Sequence, residues 1–317
     1  VVQSKNIAGM SMKGGRKDNF FFCLIEYYES SQRWFLRSLL QVKDEEGLEG
    51  DDAIRSWIED YSVKQLVVDF PLTWPACHSC QLDCPGSDKC PVESVTSVKQ
   101  RIEAILEEDK EIHANHPKAY ERNRNNDDEV DKGRDFWDKE SHEHLLSRSF
   151  KRRLKKGFLP YWNRSADYWI WKYYYDQYLE LFNSSYDSFG NTSLMILSRF
   201  SYLRRHFPKN IDLYEGNVNL TLIELMRSKN LLKRDILNMS DIELGIDARL
   251  DIIKKIEARL NIFIYDHDLE LIIKNPRAFD SFILAVTGQR NLLEKVRDLP
   301  PWTNPEKTRI LVPDFSL

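Results

Sequence analysis

No hydrophobic run in this sequence is long enough to cross a membrane. The longest are strand-sized, well short of the roughly 20 apolar residues a bilayer-spanning helix needs, and the start has no apolar signal-peptide core. Nor does a basic field cover the molecule: the net charge is −4, so any contact with nucleic acid has to come from a local patch. Cysteine is scarce, with five in 317 residues, and nothing marks the chain as secreted, which argues against disulfides. These absences lead to the expectation of a cytoplasmic protein with no membrane partner. What is present, 42% hydrophobic and 30% charged residues, is enough for one large α/β domain with an insertion, or for two domains.

The most informative residue is Asp69. It closes the apolar run Gln65-Leu66-Val67-Val68 and is followed by Phe70-Pro71. A continuous apolar run reads as a buried parallel strand, and in α/β sheets ligands bind outside the carboxyl ends of such strands. Asp69 is therefore a candidate metal ligand or general base, with a turn-capping role as the alternative.

Ahead of it, Lys5 to Met10, Phe20 to Tyr28 and Arg33 to Val42 read as a three-strand meander separated by turn residues. Asp51 or Asp52 then caps a helix whose Ile54, Trp57, Ile58 and Tyr61 share one face. The pattern resumes beyond residue 190. Ile196, Phe200, Leu203 and Phe207 form a helical stripe, and Ile211 to Glu215 reads as a strand that again ends in an acid. Helices are expected at about 218–229 and 247–263. A last one begins at Asn275-Pro276, with Asp280 in its first turn beside the stripe Phe279, Phe282, Ile283 and Val286. The helix N-terminus favours an ionised Asp280 and keeps it available to a hard cation, although dipole stabilisation alone also accounts for an acid there.

The order βββ-α-β, insertion, α-β-α, with acids at two strand ends and at the start of the last helix, resembles the RNase H-like fold. More narrowly, four segments are similar to blocks of the predicted-nuclease family called domain of unknown function 429: Leu66 to Leu72, Ile211 to Glu215, Gly245-Ile246-Asp247-Ala248-Arg249 and Ala278 to Ala285. Arg309 to Pro313 is similar to that family's closing strand. The resemblance covers residues 5–72 and 190–313. It implies a mixed five-stranded sheet flanked by helices, built from 1–72 and 190–317, with 73–189 as a large, mostly helical, Cys-rich insertion after strand four.

By the same resemblance, Asp69, Glu215 and Asp280 would be catalytic ligands to Mg²⁺ or Mn²⁺ for phosphodiester hydrolysis. In the two-ion form of this chemistry the metals stand about 3.5–4 Å apart. The family's strand-one acid belongs in a Gly-x-Asp pattern, but this chain has Gly9-Met10-Ser11. Loss of that carboxylate points to weak activity, or to a catalytically impaired protein that binds nucleic acid or a protein partner through its insertion. Asp18 and Asp167 are substitutes to consider, Asp167 because Arg164-Ser165-Ala166-Asp167 resembles a short Arg-x-x-Asp segment of the family.

The insertion opens with Cys77-x-x-Cys80-x-x-x-Cys84-x-x-x-x-x-Cys90, four of the five cysteines within 14 residues, with Pro85-Gly86 supplying a tight turn. Thiolates at this spacing read as a structural Zn²⁺ knuckle. An iron–sulfur cluster and unliganded thiols are the alternatives, and His78 is a possible replacement ligand. Cys23 reads as a buried small hydrophobe. Farther on, Arg148, Lys151, Arg152, Arg153, Lys155 and Lys156 form a basic run followed by Phe158, Tyr161 and Trp162. That combination suits phosphate contact and base stacking, or else a helix paired with the acidic stretch before it. Trp171, Tyr175, Tyr178 and Phe182 read as one core-facing helical stripe.

Overall fold

The computed structural model describes residues 5–12, 20–41, 50–124, 148–183 and 194–316. The chain begins with the strands β1 (Lys5–Met12), β2 (Phe20–Tyr28) and β3 (Arg33–Gln41), then α1 (Gly50–Asp60) and β4 (Gln65–Val68). Helices α2 (Glu93–Asn115), α3 (Pro117–Arg124), α4 (Arg148–Lys156), α5 (Ser165–Tyr173) and α6 (Tyr175–Phe182) follow. After α7 (Leu194–Leu203) come β5 (Asp212–Glu215), α8 (Val218–Arg227), α9 (Lys233–Asn238), α10 (Gly245–Leu260) and β6 (Ile262–Phe263). The chain closes with α11 (Asp266–Lys274), α12 (Pro276–Leu292) and α13 (Pro305–Thr308).

Two compact units result. One comprises Val1–Leu72, Thr192–Asp298 and Arg309–Leu317; the other comprises Thr73–Asn191 and Leu299–Thr308. The first is α/β. Its mixed sheet has six strands in the order β5-β4-β1-β2-β3-β6. β1 pairs antiparallel with β2 and β2 with β3, while β1–β4, β4–β5 and β3–β6 are parallel.

The sixth strand corrects the expected five. The apolar stripe of α10 suggested helix as far as residue 263, but Asn261 takes a left-handed conformation (φ 53°), caps the helix and releases Ile262–Phe263 to pair with β3. The Trp171 to Phe182 stripe is likewise split, because the chain breaks at Tyr174 into α5 and α6.

Strand alternation assigns the two faces of the sheet. Ala8, Met10, Met12, Phe22, Leu24, Leu66 and Val68 face α1 and α7, meeting Ile54, Trp57, Ile58, Phe200 and Leu203 in one buried cluster. Each large apolar side chain fully buried there is worth about 1.5–3 kcal/mol. The opposite face takes α12, whose Leu284 packs on Val67 with Tyr214 and Leu311 beside them. Contact on this side is close enough to require glycine. A Cβ on Gly9 would stand 2.2 Å from the Ser281 carbonyl oxygen and 2.3 Å from the Ala285 nitrogen, both backbone atoms.

In the second unit Val98, Ile102 and Ile105 of α2, Leu154 of α4 and Tyr168 of α5 share a core. Asp109, 1% exposed, accepts a 2.6 Å hydrogen bond from the Tyr120 hydroxyl and pairs with the Lys151 ammonium.

Because the atoms a Gly9 methyl would meet belong to helix backbone, they cannot turn aside as a side chain would. Gly9→Ala is expected to lower stability by about 3 kcal/mol, read as a reduced denaturation midpoint at unchanged slope. A loss below about 1 kcal/mol would mean that α12 does not approach β1 this closely.

Candidate functional site

The order β5-β4-β1-β2-β3 means that the chain moves one way across the sheet from β1 to β3 and the other way from β4 to β5. The reversal falls between β1 and β4, and the carboxyl ends of two such parallel strands are where α/β sheets form ligand crevices. Met10 pairs with Val68 and Val68 with Glu215, so Ser11, Asp69 and Glu215 stand at the ends of three neighbouring parallel strands.

Asp69 is half-buried one residue beyond β4. Its Oδ2 accepts a 2.6 Å hydrogen bond from the Ser11 hydroxyl, and its Oδ1 accepts one of 2.9 Å from the Met12 amide. Ser11 is fully buried. The two side chains lie on the α12 face because they alternate with Met10 and Val68, which face α1.

α12 runs antiparallel to β1 on that face. A Cβ on Gly288 would meet Ile7, and one on Gly9 would meet the backbone at 281–285. Four helical residues rise about 6 Å and two strand residues about 6.6 Å, so the next step along this ladder brings Asp280 level with Ser11 and Asp69. Asp280 is half-buried and acts electrostatically on Arg249 of α10. Burial lowers the Arg249 pKa from its ordinary value, and the Asp280 carboxylate opposes that shift. Arg249 also donates to the carbonyl oxygens of Ile273 (2.6 Å) and Met239 (2.8 Å), which fixes its guanidinium.

Glu215 is 5% exposed and sits in the same row as Val68, the row that faces α1. Its Oε2 accepts from the Leu72 amide at 3.2 Å. The structure thus joins Ser11 to Asp69, carries Asp280 on α12, the helix that packs on the same face of the sheet, and carries Glu215 on the adjoining strand end in the opposite row. Among the described residues, no group of three or more His, Cys, Asp or Glu side chains stands at metal-holding distances.

Asp167 has a different task. In the second unit its Oδ2 accepts from the Arg164 backbone amide and Nε, both at 2.9 Å, and its Oδ1 accepts from Nη2 at 2.6 Å. Arg164 continues to the Thr73 hydroxyl at 3.2 Å. This buried two-pronged pair caps α5 and occupies the carboxylate that was considered as a substitute ligand. Asp18 lies outside the described residues.

Within the basic run, Arg152, Lys155 and Lys156 are exposed, as are Tyr161 and Trp162. Lys155 borders an open groove with residues of both signs, among them Asp88, Glu103, Glu107 and Lys110. Phe158 instead packs against Tyr168, and Lys151 is committed to Asp109 and Tyr120. The side chains of Arg148 and Arg153 lie outside the described residues.

All five cysteines are free thiols. Cys23 is fully buried in β2, and burial, then the Asp268 carboxylate, push its thiol well up, leaving it un-ionised. Cys77 and Cys90 are half-buried, and Cys80 and Cys84 are exposed.

Two roles are not legible in the sequence. Ser11, which stands where the resemblance expects an acid, is also the hydroxyl donor that fixes Asp69. Arg249, inside a segment singled out by resemblance, had no role until the fold brought it to Asp280. No family model, curated protein or solved structure matches this chain.

Replacing Lys151 by Met removes the cation facing a buried carboxylate. The expected cost is about 3 kcal/mol of stability, measured by chemical denaturation. A cost under about 1 kcal/mol would show that Asp109 does not depend on this pairing.

Proposed function

We propose that the first unit is an RNase H-like core related to the predicted-nuclease family called domain of unknown function 429, and that it hydrolyses phosphodiesters slowly with a divalent cation. The observation that carries this reading is the Asp69 carboxylate, fixed by Ser11 and Met12 at the sheet's reversal point. The element order around it, three strands, α1 and β4, then α7, β5 and the closing α12, supports the same reading.

The donors fit Mg²⁺ or Mn²⁺ in kind, since both cations take carboxylate oxygen. In number they fall short. Ser11 supplies a hydroxyl where a third carboxylate would complete the shell, and Glu215 is in the opposite strand row, accepting from Leu72. Asp69 and Asp280 would hold one ion. When bound there, such an ion would supply polarisation of a phosphoryl oxygen and a lowered pKa for a coordinated water. Ser11 keeps the Asp69 carboxylate oriented, Arg249 offsets the charge of Asp280, and both roles persist without the metal. Within the second unit, exposed Arg152, Lys155 and Lys156, with Tyr161 and Trp162, offer phosphate contact and stacking surfaces to a nucleic acid.

The test is cleavage of labelled single- and double-stranded DNA and RNA with Mg²⁺, Mn²⁺ or chelator. Wild type is expected to be slow and to favour Mn²⁺. Asp69→Asn should fall to background, and Ser11→Asp should raise both metal affinity and rate. Wild-type cleavage that survives Asp69→Asn would place the chemistry elsewhere. Absence of cleavage by wild type and by Ser11→Asp alike would leave the core as a binding module.

A further inference from the structure

The segment between β4 and α2 has a stability problem that its own side chains do not solve. Every residue from 78 to 89 is exposed, so the stretch contributes little apolar burial, while ordering a backbone costs about 1–2 kcal/mol per residue. Its regular structure is limited to two single 3₁₀ turns, Ala76–His78 and Ser87–Lys89. Gly86, at φ 89°, reverses the chain between Cys84 and Cys90 in a conformation that only glycine adopts without strain.

The two ends are anchored. The Cys77 amide donates to the Pro160 carbonyl oxygen at 3.1 Å, and the His78 ring stacks on Trp74 with centroids 3.9 Å apart and planes 13° from parallel. Cys90 follows the second turn directly and leads into α2. The four thiols lie in this one frame: Cys77 and Cys90 flank the exposed stretch at its anchored ends, and Cys80 and Cys84 lie on it, with no three of them yet at metal-holding distance.

We infer that Cys77, Cys80, Cys84 and Cys90 bind one Zn²⁺ in a closed tetrahedral thiolate shell that holds residues 74–92 in shape. Zinc suits ligands on an irregular backbone because it has no geometric preference of its own beyond packing four donors around it. Binding is completed by the exposed Cys80 and Cys84 closing onto the half-buried Cys77 and Cys90. His78 stays on Trp74 and is not a ligand. Four sulfurs leave no open position for water, so the centre is structural. It is independent of the carboxylates of the first unit.

Metal analysis of the reduced, full-length protein tests this. About one equivalent of zinc is expected, and Co²⁺ substitution should give the thiolate charge-transfer and intense visible bands of a tetrahedral sulfur site. Chelation should open residues 78–89 to limited proteolysis and re-addition of Zn²⁺ should close them. Cys80→Ser/Cys84→Ser should lose the zinc while keeping the circular dichroism of the rest of the chain, and Cys23→Ser should retain it. Four results would each overturn the inference: zinc below about one-tenth of an equivalent after reconstitution, iron with visible absorption in place of zinc, cysteines paired as disulfides, or zinc retained by Cys80→Ser/Cys84→Ser.

Discussion

The close passage of α12 across β1 is the constraint on which the candidate site depends. At Gly9 the helix backbone fills the space that any other residue's Cβ would need. The same contact sets the height of the helix along the strand, because Gly288 repeats it at Ile7 and Leu284 locks against Val67 between them. A helix held at that register has its first turns, with Asp280 among them, toward the end of β1. With a larger residue at Gly9, α12 would have to lift or slide, and a slide of one residue would rotate Asp280 by about 100° away from the sheet.

Asp69 shows how one substitution changes the character of a strand end. Two carboxylates on adjacent strand ends repel and need a cation between them. With Ser11 as the neighbour the interaction is a hydrogen bond, and together with the Met12 amide it stabilises the Asp69 carboxylate without any metal. The strand end is therefore self-sufficient. Arg249 gives Asp280 a similar internal source of positive charge. An acid that is electrostatically satisfied from within binds a cation less strongly than one that is not.

The second unit uses charge differently. Asp109 and Asp167 are both nearly inaccessible, and each is met by a cation and further hydrogen bonds: Lys151 with Tyr120, and Arg164 with its own backbone amide. Leaving either acid without its cation would be far more costly than any gain from the pair itself. These pairs fix how α4 meets α2 and how α5 begins, so part of the basic run in α4 is structural.

The sequence by itself determined most of the elements. Continuous apolar runs located the buried strands, the Ile54, Trp57, Ile58 stripe located α1, and Asn275-Pro276 marked where α12 starts. Those signals are local, set by side-chain period and by backbone restriction within a few residues. Asp69 and Asp280 were legible for the same reason, each lying at the end of a recognisable element. The sixth strand was not, because two residues after a helix cap become a strand only when β3 offers free backbone groups to pair with. The break at Tyr174, the Ser11 bond to Asp69, the Arg249 charge beside Asp280 and the commitment of Lys151 to Asp109 were likewise decided by tertiary structure. Which acid meets a hydroxyl and which meets a guanidinium depends on strand register and helix height, and those are fixed by packing between segments far apart in the chain.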